Sequence, residues 1–74
     1  MMLTYKKDID SYIKGQLEDG QSVNGMVDHI IYDRVDIDNY IIAKHNGENI
    51  NTITRLKKIG LVKNYILDVQ KYGN

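Results

Sequence analysis

Ile42-Ala43-Lys44-His45-Asn46-Gly47-Glu48-Asn49-Ile50-Asn51-Thr52-Ile53-Thr54-Arg55-Leu56 is the stretch on which the fold of this chain turns. Asn46-Gly47 is a dipeptide that tolerates left-handed backbone, so a helix is expected to stop there. That helix holds Ile37, Tyr40, Ile41, Ile42 and Ala43, with Asp36 or Asp38 as its cap. A further helix is expected to start at Asn49 or Asn51, both good caps, and to place Ile50, Ile53 and Leu56 on one face before Gly60. Two more helices lie upstream. One runs from about Thr4, as cap, to Asp19, with Tyr5, Ile9, Tyr12, Ile13 and Leu17 at helical spacing and Gly20 after its end. The next begins near Ser22 or just after Asn24-Gly25 and carries Val23, Met26, Val27, Ile30, Ile31 and Val35 three and four apart. Downstream, Leu61, Val62, Tyr65, Ile66, Val69 and Tyr72 fit the helical period better than strand alternation. This segment is either a separate fifth helix or the continuation of the fourth through Gly60.

The expected fold is therefore all-α, a bundle of about five short helices, in one domain spanning residues 1–74. A chain of 74 residues has no room for a second core. There is no cysteine, no Phe and no Trp, and the six tyrosines are the aromatic content. Disulfide stapling and thiolate metal sites are excluded, which points to a cytoplasmic protein. No apolar run approaches the length that spans a bilayer, and Lys6, Lys7, Asp8 and Asp10 rule out a signal peptide at the start, so no membrane role is expected. The formal net charge is zero but unevenly spread, about −4 over residues 1–42 and about +4 over residues 43–74.

Within the quoted stretch, Ala43 precedes Gly47 by four positions and Ile53 follows it by six. This spacing resembles the helix-turn-helix motif of bacterial and phage DNA-binding proteins. The resemblance implies that Ala43 lets two helices cross closely, that Gly47 makes the turn, and that Ile53 and Leu56 anchor a recognition helix over about residues 50–59. With those aliphatics turned inward, Asn51, Thr54, Arg55 and Lys58 would line the outer stripe, and Thr52 and Lys44 complete the expected DNA-binding set. Arg suits guanine edges, Asn adenine edges, Thr a phosphate or thymine methyl, and Lys the backbone. Lys44, Lys57 and Lys63 would add phosphate contacts. Asn46 and Glu48 stand where the motif is usually apolar, which implies a longer turn with Ile50 supplying the missing contact. The run from Thr54 to Lys63 is also similar to a winged-helix recognition helix entering its wing, but few residues follow Gly60, which favours a wingless form. The partner implied is double-stranded DNA, read by a homodimer acting as a transcriptional regulator.

The alternative function is a helical protein-interaction module or inhibitor, binding a basic partner through the acidic half that holds Glu18, Asp19, Asp28, Asp33, Asp36 and Asp38. Neither an enzyme nor a cofactor is expected: there are two serines, Ser11 and Ser22, no cysteine and no phosphate-cradling glycine loop. His29 and His45 belong to no metal motif, and the Asp33–Asn39 acids break the calcium-loop pattern at Tyr40 and Ile41. Tyr5, Tyr12, Tyr40, Tyr65 and Tyr72 fall on or beside apolar stripes, while Tyr32 falls off its stripe and suits a contact surface. The expected core is Ile9, Ile13, Leu17, Val27, Ile30, Ile31, Ile41, Ile53, Leu56 and Ile66. Self-association is expected through the first or last helix.

Overall fold

A computed structural model describes residues 5–72, and every regular element among them is helical. Helix α1 spans Lys6–Glu18, α2 Val23–Asp33 and α3 Val35–Asn39; α3 runs on without a break into a π-helical segment, Tyr40–His45. The 18-residue α4 spans Arg55–Tyr72 and is about 27 Å long. There are thus four helices rather than five, the third changing its winding midway.

The turns follow from local chemistry. After α1 the chain reverses at Gly20, where φ is +103°, and the Gln21 amide donates back to the Gln16 carbonyl. Ser22 caps α2, its Oγ accepting from the Gly25 amide at 2.9 Å. A single residue, Arg34, separates α2 from α3. The π-helical segment ends with the Asn46 amide bonded to the Ile41 carbonyl, the Asn46 side chain donating to the same oxygen, and Gly47 at φ +68°. The expected stop at Asn46-Gly47 is where the helix ends. Thr4, the expected cap of α1, lies outside the described residues.

Twelve residues make the core: Ile9 and Ile13 from α1, Met26, Val27 and Ile30 from α2, Ile37, Ile41 and Ile42 from α3 and its π-helical extension, and Val62, Tyr65, Ile66 and Val69 from α4. Helix α4 packs along α2, α1 and the π-helical segment, so it is the central strut of the bundle. Leu17, Ile31 and Ile53 sit half-buried at the core's edge.

The structure departs from the sequence reading at several points. The fourth helix does not run over 50–59. The Asn49 side chain instead accepts from the Asn51 amide at 2.8 Å, and the Asn49 carbonyl accepts from the Thr52 and Ile53 amides, which closes a turn over this segment. Thr54 then caps α4, with Oγ1 accepting from the Lys57 amide at 3.2 Å. Of the two readings at Gly60, the continuous helix is the one that forms. The glycine's cost of about 1 kcal/mol in a helix interior is outweighed by the burial of Val62, Tyr65, Ile66 and Val69 just beyond it. Leu56 is not core: it is 82% exposed. Each step of three residues falls short of a full turn by about 60°, so a run of such steps through Ile53, Leu56, Ile59 and Val62 fans around the helix and cannot all face inward. The stripe from Ile59 to Val69 sets the phase and leaves Leu56 outside. Asp36 and Asp38 also do not cap α3, which starts at Val35; both lie within its first turn.

Candidate interaction surface

The residues expected to contact DNA are not gathered on one helix face. Asn51 and Thr52 are exposed in the turn before α4, Thr54 spends its hydroxyl on the cap, and Lys44 is exposed on the π-helical segment. Arg55 opens α4, donates through Nη2 to the Tyr32 hydroxyl, and stacks its guanidinium 5.1 Å from the centre of that ring. Lys58 is turned inward to Asp38, Nζ to Oδ2 at 3.2 Å. Asp38 is 2% exposed, so Lys58 serves as the countercharge of a buried carboxylate and is not free for a phosphate. Lys57 pairs with Glu48 at 3.2 Å, in a geometry where both side chains stay partly solvated. Ala43, expected at a helix crossing, is exposed.

The acidic half is no more convergent. Asp36 accepts two bonds from Arg34, Nε to Oδ1 at 3.1 Å and Nη2 to Oδ2 at 2.9 Å; Asp33 lies 3.3 Å from His29; and Asp38 is buried. Only Glu18, Asp19 and Asp28 of the set named above are exposed without such an ion pair described for them.

What the fold does assemble is the outward face of α4. Opposite the buried stripe of Val62, Tyr65, Ile66 and Val69 stand Leu56, Lys57, Gly60, Lys63, Asn64, Leu67 and Lys71, all exposed. At about 100° per residue these positions fall within roughly 60° of a line through Gly60, the middle of the solvent side. Leu67 is 39% exposed and Leu56, three turns earlier on the same face, 82%. A Cβ placed on Gly60 would meet nothing within 4 Å, so the face is open at its centre. Asp68, on the margin, is the one acid on this side of α4. The face therefore mixes two exposed leucines with three lysines, Lys57 and Lys63 at its edges and Lys71 near its midline. The sequence left two readings at Gly60, a helix end or a continuous helix; in the continuous helix that forms, Leu56, Gly60, Lys63 and Leu67 follow one another at four, three and four residues.

A second feature lies at the far end of α4. Lys6, Asp10, His45, Tyr65, Asp68, Val69 and Tyr72 line an open cavity of about 270 Å³. The Tyr65 hydroxyl donates to Asp10 Oδ1 at 2.5 Å, Lys6 Nζ donates to Asp10 Oδ2 at 2.7 Å, and the ring of His45 meets that of Tyr65 edge-on at 4.8 Å. Burial first, and then the bond to the Asp10 carboxylate, push the Tyr65 phenol far above its ordinary value of 10.0. Its partner hydrogen bond likewise holds Lys6 above 10.5. These contacts tie α1, the π-helical segment and α4 together at this end. Tyr5 and Tyr72, expected on apolar stripes, are 71% and 72% exposed, while Tyr32 is 58% exposed, off its stripe. Among the described residues no group of three His, Cys, Asp or Glu could hold a metal ion, and no helix is long and apolar enough to cross a membrane.

Compared with known protein families, curated proteins and solved structures, the chain matches none.

Proposed function

We propose that this chain is a protein-interaction module whose α4 docks, through its outward face, against an amphipathic helix of a partner protein with an apolar seam flanked by carboxylates. The observation that carries this reading is Leu56, 82% exposed on the same face as Leu67 and Gly60. Leucines held in water gain most from an apolar partner, and Lys63 and Lys71 on the same face, with Lys57 at its edge in a partly solvated pair with Glu48, select an acidic one. Gly60 between them lets a second helix approach closely, since interaxial distance follows the side chains at the crossing. The readout resembles helix-in-groove recognition, with anchors repeating along one side of a helix.

The same lysines favour double-stranded DNA as a second reading, with Asn64 and the turn at Asn51 and Thr52 as further contacts. The exposed leucines Leu56 and Leu67 weigh against it, because DNA offers little apolar surface beyond thymine methyls. A helical-peptide library with an apolar seam and randomised flanking positions, presented alongside mixed duplex DNA, tests both. Enrichment of acidic flanks is expected. Duplex binding that falls steeply with salt, and that is lost on replacing Lys57, Lys63 and Lys71 by Gln, would replace the protein reading with the DNA one. Dimers in sedimentation that revert to monomer in Leu56→Asp would make a second copy of this chain the occupant.

A further inference from the structure

The pair α1–α2 carries a constellation that the docking face does not use. His29 and Asp33 lie one turn apart on α2 and so share a face, and Tyr12 on α1 meets that face. Tyr12 Oη lies 2.6 Å from His29 Nε2, and His29 Nδ1 lies 3.3 Å from Asp33 Oδ2. An ionised carboxylate can only accept, so in the neutral imidazole Nδ1 carries the proton, Nε2 presents its lone pair, and the Tyr12 phenol is the donor. The order carboxylate, imidazole, hydroxyl is that of a nucleophile with a general base behind it and an orienting group behind the base. The Tyr12 and His29 rings are stacked at 6.1 Å and 28°, and the guanidinium of Arg34 sits 4.7 Å from the centre of the Tyr12 ring, where a cation favours negative charge developing on the phenol. Ile9 and Ile13 on α1 and Met26 and Ile30 on α2 are fully buried on either side of these three residues, which fixes the spacing of the two helices that present them.

We infer that Tyr12 is a nucleophile activated by His29 and Asp33, and that it accepts an activated acyl or sulfonyl group. Tyr12 Oη attacks the electrophilic carbon or sulfur and forms a new bond to oxygen, the bond to the leaving group breaks with its electron pair, and the phenol proton passes to His29 Nε2. The imidazolium so formed, held by Asp33, then returns its proton to water. Arg34, anchored by Asp36, stays beside the ring throughout.

An aryl sulfonyl fluoride is the probe: the S–O bond forms at tyrosine, the S–F bond breaks and fluoride departs. Under limiting reagent and with peptide mapping, Tyr12 is expected to carry the label ahead of Tyr5, Tyr32 and Tyr72, although all three are more exposed. His29→Gln is expected to slow labelling of Tyr12 by tenfold or more, in line with the roughly 10²- to 10⁴-fold worth of a positioned base, and Asp33→Asn by less, because Asp33 orients and does not accept the proton. Added imidazole should restore part of the rate in His29→Gly. The competition among tyrosines in the unaltered chain stands even where a variant folds poorly. First labelling at Tyr5, Tyr32 or Tyr72, labelling at His29 itself, or an unchanged Tyr12 rate in a folded His29→Gln would each overturn the inference.

Discussion

Asp38 sits on the inner side of α3 with 2% of its surface exposed; Oδ2 pairs with Lys58, and Oδ1 has no hydrogen-bond partner among the described residues. Removing the countercharge strands the carboxylate, so Lys58→Met is expected to cost about 3 kcal/mol, somewhat eased because the lysine side chain is a quarter exposed. Asp38→Asn with Lys58→Met should cost much less than the two single changes summed, and a double-mutant cycle by urea unfolding measures this; simple additivity would mean that the two charges do not interact. Neither residue's role was legible from the sequence. An aspartate near a helix start reads as a cap and a lysine in a basic run reads as a phosphate contact, because the partner that decides each lies on another helix. Leu56 was misread for a different reason: its spacing from Ile53 is right for one turn but wrong in phase for the helix that forms. Leu56→Ala is accordingly expected to cost less than about 1 kcal/mol, against about 2 to 5 kcal/mol for the fully buried Ile66→Ala. A large loss at Leu56 would put that side chain inside.

At the scale of the element, α1 and α2 were readable almost to their ends, since aliphatics at three- and four-residue spacing bounded by Gly20 and by Ser22 admit one helical phase each. The stop at Asn46-Gly47 was equally readable. The π-helical winding of Tyr40–His45 was not, because Tyr40, Ile41 and Ile42 fit an α-helix just as well in one dimension and their positions are set by packing on α4. The start of α4 was hidden by two rival caps: Asn49 and Asn51 are as good as Thr54 by type, and Asn49 is drawn into a turn instead. Gly60 gives this element its clearest test. It is exposed, mid-helix and without neighbours for a Cβ, so Gly60→Ala should stabilise the fold by about 0.5 to 1 kcal/mol in urea unfolding. Destabilisation would mean that α4 is interrupted there after all. The same substitution should weaken docking of a partner helix, since the crossing is closest at that point.

Across the whole molecule, the all-helical class and about half of the expected core, Ile9, Ile13, Val27, Ile30, Ile41 and Ile66, were legible, because burial pattern follows directly from aliphatic spacing. The docking face was not, since a surface is defined by what the core leaves over, and the phase of α4 had to be known first. The polar knot at the far end of α4 gives the bundle a pH signature. With the Tyr65 phenol raised in the folded state, its contribution is fully present below the ordinary tyrosine value of 10.0 and is lost as pH rises beyond it, because the unfolded chain ionises there and the folded chain resists. Tyr65→Phe should therefore cost about 1 kcal/mol at pH 7, the worth of its bond to Asp10. Near pH 11 that gap should have closed and slightly reversed, since one unit above the unfolded value removes about 1.4 kcal/mol from the parent. A gap that stays constant between the two pH values would mean that Tyr65 ionises alike in both states. The central claim, that the outward face of α4 is a binding surface, is tested most directly by the dissociation constant of a selected acidic amphipathic helix for the parent chain, for Leu56→Ala and for Leu67→Ala, with Tyr5→Ala as a control away from this face and unfolding midpoints measured in parallel. A loss of about tenfold or more is expected for each leucine, on the order of 1.4 kcal/mol, with midpoints little changed and the control unaffected. Unchanged affinity in both leucine variants, or equal loss in the control, would contradict it.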